Sequence, residues 1–167
     1  MLTILSRFES PALPDVSLVE RLFSASMVAF VTLASPRKLC ALHFKTQQEI
    51  QSLSYTNTIL AVRMNRSRLI VCLEDSIYIH QIKDFSVVHV IKETPLNKNG
   101  LIALSYEGTN HFLAYPGSQN SGEVVIFDVM SYTNKIVIAA HDNPLAAMAF
   151  NSKGTMIATA SEKVNKF

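Results

Sequence analysis

Few residues in this chain combine the types and spacing that chemistry needs. His43, His80, His89, His111 and His141 are scattered at intervals that fit no metal-ligand pattern. No Gly-rich phosphate loop is present. No Ser or Cys sits in surroundings that resemble a nucleophile elbow, so no enzymatic activity is expected. Cys40 and Cys72 fall within strand-like apolar runs, where two buried reduced thiols are expected rather than a disulfide. Two short basic stretches remain. In "ASPRKL" (34–39), Pro36 stiffens a connection and Arg37 presents a charge beyond it. "NRSR" (65–68) forms a second basic turn. Taken alone, the first reads as an ordinary hairpin connection and the second as a solvated turn. Asn65-Arg66-Ser67 also fits an N-glycosylation sequon, a chance match in a chain without a secretory signal.

The bulk numbers set the frame for these residues. A chain of 167 residues, 49% hydrophobic and 17% charged, has the size and apolar content of one ordered domain. Its mean hydropathy is +0.21. The net charge of +2 is too small to imply a nucleic-acid partner. Apolar residues come in short bursts, the longest being Met27 to Ala34, far below the roughly 18 that span a bilayer. "MLTILSRF" lacks the basic start of a secretory signal, so a cytoplasmic location is expected, with no cofactor.

The elements that must position the basic turns follow a repeat. "MVAFVTL", "LIVCLE", "FLAYPGS" and "MIATASE" start at Met27, Leu69, Phe112 and Met156, separated by 42, 43 and 44 residues. A period of ~40–45 is that of WD-type propeller blades, each a four-stranded antiparallel sheet. The other strand-like runs fall into the same frame. "VERLFSA" (19–25), "ILAVRMN" (59–65), "LIALSYE" (101–107) and "LAAMAFN" (145–151) precede those four. "KLCALHF" (38–44), "SIYIHQI" (76–82) and "GEVVIFD" (122–128) follow them, and "EIQSLSY" (49–55), "SVVHVIK" (86–92) and "KIVIAAH" (135–141) are outermost. No segment keeps a helical apolar period. Gly154 suits the "NSKG" turn because it takes positive φ without steric cost. Phe127-Asp128 stands where many repeats carry Trp-Asp, so a divergent propeller is expected. The fold class is therefore all-β: a partial WD-type β-propeller of three full blades and two strands of a fourth, with two blade-sized apolar faces left open.

These residues also resemble a known family. "PDVSLVERLFSASMVAFVTLASPRKL", "NTILAVRMNRSRLIVCLEDSIYIHQIKD", "IKETPLN", "LAYPGS" and "AAHDNPLAAMAFNSKGTMIATASEK" together look like the WIPI-type PROPPINs. The resemblance runs from about Pro14 to Lys163. It implies about three and a half blades of a seven-bladed ring, in a family that binds phosphoinositides and acts in autophagy. It leaves residues 1–13 as a divergent N-terminal segment. It also implies a Gly-Thr after Lys163 and, further on, a Phe-Arg-Arg-Gly motif whose arginines serve two phosphoinositide pockets. Neither occurs in this sequence, which reads Val164-Asn165-Lys166-Phe167 instead. Val-Asn-Lys can be encoded by GTA-AAT-AA, the start of an intron's 5′ donor, so residues 164–167 are expected to be an aberrant tail from intron read-through. A paralogue with a genuinely shortened end is the alternative.

The resemblance also assigns roles. Pro36 and Arg37 match the loop of the family's second blade that engages an autophagy lipid-transfer protein. Arg66 and Lys83 match basic positions facing the cleft that takes an acidic segment of a coiled-coil lipid-conjugation factor. Lys83 stands where Arg is usual and loses its bidentate fork. His141, Ser161 and Lys163 lie where the first lipid pocket begins and are fringe candidates; each has a structural reading too, as turn histidine, strand-end hydroxyl and solvated lysine. The complete family protein is expected to bind phosphatidylinositol 3-phosphate and 3,5-bisphosphate, peripheral on phagophore or endosomal membranes. This chain alone is not expected to bind them usefully. A WD-repeat interaction scaffold without lipid binding, or a non-functional truncated product, is the alternative reading.

Overall fold

The computed structural model describes residues 15–22, 26–106 and 110–162. The expected N-terminal segment, the C-terminal tail and Lys163 lie outside them. Strands β1 (Val16–Arg21), β2 (Met27–Thr32), β3 (Ser35–His43) and β4 (Gln48–Ser54) form one antiparallel meander. Strands β5 (Ala61–Met64), β6 (Arg68–Cys72), β7 (Ser76–Gln81) and β8 (Val87–Lys92) form the second. Strands β9 (Ala103–Leu104), β10 (Phe112–Pro116), β11 (Gly122–Asp128) and β12 (Thr133–His141) form the third. Strands β13 (Leu145–Phe150) and β14 (Ile157–Ser161) pair as a hairpin. Three full blades and two strands of a fourth therefore stand in the frame that the repeat predicts.

Alternation within each strand explains the stacking. In β6 every residue is buried, because its two faces both pack. Leu69 and Val71 meet Ala29, Val31 and Leu39 of the first blade. Ile70 and Cys72 turn the other way, onto Leu113, Tyr115, Val125 and Phe127 of the third. Ala114, Val124 and Ile126 of that blade face the last hairpin, against Leu145, Met148 and Phe150. Each Leu, Ile or Val fully buried in these layers contributes about 1.5–3 kcal/mol. The first strands adjoin in series, β1 on β5, β5 on β9 and β9 on β13. The outermost strands β4 and β12 are exposed over most of their length. Sheets radiating from inner strands are the propeller arrangement.

The structure corrects several boundaries. Among the described residues of the run read as 101–107, only two form a strand, because the Ser105 hydroxyl takes over the next rung. It donates to the Asn110 carbonyl (2.7 Å) and accepts from the Phe112 N–H (2.8 Å). The first inner strand begins at Val16 rather than 19, and residues 23–25 lie outside the described set. Strand β3 starts at Ser35, not 38, so Pro36 and Arg37 belong to a strand; the connection is the two-residue turn Leu33-Ala34. Cys72 is buried but Cys40 only half-buried, and both thiols are free.

Two sequence details find their physical role. Gly154 has φ +65°, and a Cβ there would lie 2.7 Å from the Ser105 Cβ. Asp128, the acid of the Phe-Asp pair, accepts from the N–H groups of Met130 (2.8 Å) and Ser131 (3.2 Å) and pairs with Lys135 Nζ at 3.2 Å. Burial pushes its carboxyl up, but those N–H groups and the Lys135 ammonium outweigh it and hold it below the usual range. Phe127 fills the Trp slot by stacking on the His89 ring, centroids 5.6 Å apart.

Candidate functional site

The sequence "NRSR" makes the turn between β5 and β6, and its shape is set by one side chain. Asn65 is 3% exposed. Its Oδ1 accepts from the N–H groups of Ser67 (3.0 Å) and Arg68 (2.8 Å), and its Nδ2 donates to the Ser105 carbonyl at 3.1 Å. The amide is thereby consumed inside the fold, which closes the sequon to a glycan. Arg66 sits at the exposed tip. Next to it, the turn between β7 and β8 carries exposed Lys83, and the two turns are tied by the Ile82 N–H donating to the Ser67 carbonyl at 3.1 Å. The fold thus brings Arg66 and Lys83 to one end of the second blade. Asp84 lies beside them. Its Oδ1 accepts from the Ser86 hydroxyl (2.6 Å) and N–H (3.0 Å), and these bonds, with the Lys83 charge, keep its carboxyl below the usual range.

Arg68, the second cation of the same motif, behaves differently and escaped the sequence reading. It is 8% exposed. Its Nε donates to the Val129 carbonyl (3.1 Å), Nη1 to the Ser67 carbonyl (3.2 Å) and Nη2 to the Tyr132 hydroxyl (3.3 Å). The guanidinium also lies 6.0 Å from the Tyr132 ring centroid. It clamps the second blade to the third and is no docking cation. The signal for this was its place as the first residue of an all-buried strand.

Pro36 and Arg37 lie at the opposite end, because successive turns of a meander alternate between its two ends. The Pro36 carbonyl accepts from the Ile59 N–H and the Arg37 carbonyl from the Tyr55 N–H, both at 2.9 Å. Their side chains stay exposed beside a cleft of about 400 Å³ that also takes in Lys38, Ser54 and Tyr55. Tyr55 floors this region and reaches across to the second blade, its hydroxyl 2.8 Å from His80 Nε2. His80 Nδ1 lies 2.8 Å from the Phe85 carbonyl, which can only accept, so Nδ1 carries the proton and Nε2 accepts from Tyr55. Burial lowers the imidazole pKa, against the opposing effect of the Phe85 bond. Burial, with Tyr78 close by, raises the Tyr55 phenol.

His141 and Ser161 end strands β12 and β14 at the same end as Pro36. His141 Nε2 is 2.9 Å from Thr159 Oγ1, a bond between the third blade and the hairpin. Ser161 pairs with Leu145 in the backbone register. Lys163, the third fringe candidate, lies outside the described residues.

A radial stack of four-stranded meanders defines the class of the molecule as a β-propeller. A family model described as PROPPIN matches residues 5–166. The WD repeat domain phosphoinositide-interacting protein 2 of Xenopus laevis is 56% identical over 156 residues, 93% of this chain and 36% of that protein. Autophagy-related protein 18 of Caenorhabditis elegans is 40% identical over 146 residues, 87% of this chain and 35% of that one. The solved complex of KlAtg21 with the coiled coil of AgAtg16 matches with a TM-score of 0.76 at 29% identity, covering 87% of this chain and 48% of that one. The chain belongs to the PROPPIN family, and it spans about a third of the length of these curated relatives.

Proposed function

We propose that this chain serves in a phosphoinositide-effector scaffold of autophagosome formation, which couples a lipid mark to the recruitment of protein partners without catalysing a reaction. Its place is the cytoplasm, with the complete protein peripheral on phagophore or endosomal membranes. The observation that carries the reading is the end of the second blade, where two joined turns present Arg66 and Lys83 to solvent. Neither side chain has a hydrogen bond or ion pair among the described residues, so both are available to an acidic segment. A relative solved with a coiled coil supports a partner of that kind. At the other end, Pro36 and Arg37 are assigned to the lipid-transfer partner. Binding of phosphatidylinositol 3-phosphate and 3,5-bisphosphate is assigned to the complete family protein, through the Phe-Arg-Arg-Gly motif that this sequence lacks.

The test is capture of an acidic coiled-coil segment by the chain and by its Arg66→Glu variant. Reversing a charge at such a rim is expected to weaken binding about tenfold, with the loss fading as salt rises. Unchanged capture would remove Arg66 from the site. The lipid-free scaffold is favoured by one observation: His141, a fringe lipid candidate, is committed to Thr159. Flotation of the chain with vesicles containing phosphatidylinositol 3-phosphate, but not with plain vesicles, would sink that second reading.

A further inference from the structure

Three Ser/Thr-Pro pairs occur in the sequence: Ser10-Pro11, Ser35-Pro36 and Thr94-Pro95. Only Ser35 is followed three residues on by a basic side chain, Lys38; Leu13 and Asn97 hold that position after the other two. Ser-Pro-x-Lys is the substrate pattern of cyclin-dependent, proline-directed protein kinases. Their pocket for the following residue favours proline, which brings no N–H to be left unpaired. The basic side chain three residues on pairs with a negative group of the kinase complex.

The structure separates the three sites further. Ser10 lies outside the described residues, and Thr94 is half-buried with its N–H bonded to the Asp75 carbonyl at 3.2 Å. Ser35, Pro36, Arg37 and Lys38 are all exposed in the extended first residues of β3. The Ser35 hydroxyl makes no hydrogen bond among the described residues. It lines the same cleft of about 400 Å³ as Arg37, Lys38, Ser54 and Tyr55.

We propose that Ser35 is a phosphorylation site for a proline-directed kinase, and that its phosphate docks in this cleft on Arg37 and Lys38. In the transfer from ATP, the bond from Ser35 Oγ to the γ-phosphorus forms and the bond to the β–γ bridging oxygen breaks. ADP leaves, and the hydroxyl proton passes to the kinase's catalytic base. The added charge of about −1.5 to −2 offsets the two cations of the cleft. The regulatory consequence rests on the assignment of Pro36 and Arg37 to a partner: modification closes that end, while Arg66 and Lys83 at the other end stay available. The modification itself does not rest on that assignment.

The experiment treats the full 167-residue chain with a cyclin-dependent kinase and ATP and maps sites by peptide mass spectrometry. One phosphoryl group at Ser35 is expected. Ser35→Ala should take up none there while keeping the parent's thermal transition, and Lys38→Ala should cut the initial rate roughly tenfold or more. Equal labelling of Thr94, or none at Ser35 while a Ser-Pro-x-Lys control peptide is labelled, overturns the site. Docking is read by ³¹P NMR titration. The phosphate's second pKa should fall below its usual ~6 and move back towards it in Arg37→Ala. A value near ~6 in both overturns the docking. Capture of a lipid-transfer protein forms a separate arm. If the unmodified chain and Arg37→Glu capture it equally, the partner assignment fails, and the labelling and NMR results still decide the modification.

Discussion

At the scale of the residue, charge in a turn acts only where the fold leaves it free. Arg66 and Arg68 stand two apart in one motif, yet one is at a solvent tip and the other supports the core of an interface. Lys83 is paired in sequence with Asp84, whose carboxylate is held ionised by Ser86 and so subtracts from the positive field at this end. Arg66 should therefore dominate the attraction of an acidic partner. Replacing Asp84 with Asn removes the opposing charge but keeps an acceptor for Ser86. Affinity for an acidic segment is expected to rise a few-fold in an isothermal titration at low salt. No gain would show that Asp84 faces away from the bound segment.

At the scale of the element, the blades are joined by polar pins as well as apolar layers. Arg68 spans from β6 to the β11–β12 turn, so truncating it strands the Val129 carbonyl and unstacks Tyr132. Arg68→Ala is expected to lower stability by about 2–4 kcal/mol in urea unfolding, and Arg68→Lys to recover only part because it lacks the planar fork. A second pin, Tyr55 to His80, gives the first two blades a pH dependence. Burial depresses the His80 pKa, so the unfolded chain binds the proton more readily. The stabilisation is full above the unfolded value of about 6.5 and is lost as pH falls towards the lower folded value. Melting temperature should decline over that window, and the decline should be shallower in His80→Gln. Equal declines would place the sensitivity elsewhere.

At the scale of the whole molecule, stability is graded along the stack. The second blade is packed on both faces, whereas Ala147, Ala149, Ala158 and Ala160 of the last hairpin remain exposed. Amide hydrogen exchange should therefore be fastest in β14 and slowest in β6 and β7, with protection falling in the order second blade, third blade, hairpin. Equal protection across all four units would mean that the chain opens only as one cooperative body.

The fold was legible because its signals are local: a period near ~40–45 residues, strands short enough to alternate, and turn glycines such as Gly154. Strand ends were less legible, since Ser105 trades backbone rungs for its own hydroxyl and β3 continues through a proline that sequence reads as a break. For the candidate sites, the sequence by itself determined which side chains carry charge and roughly which turns hold them. Only the tertiary structure decided that Arg66 is exposed while Arg68 is buried, that Asn65 is unavailable to a glycan, that His141 is bonded to Thr159, and that Ser35 shares a cleft with Arg37 and Lys38. The physical reason is that a polar group's availability is fixed by what the neighbouring blade places against it. Those contacts join residues as far apart as Arg68 and Val129, beyond the reach of any local pattern.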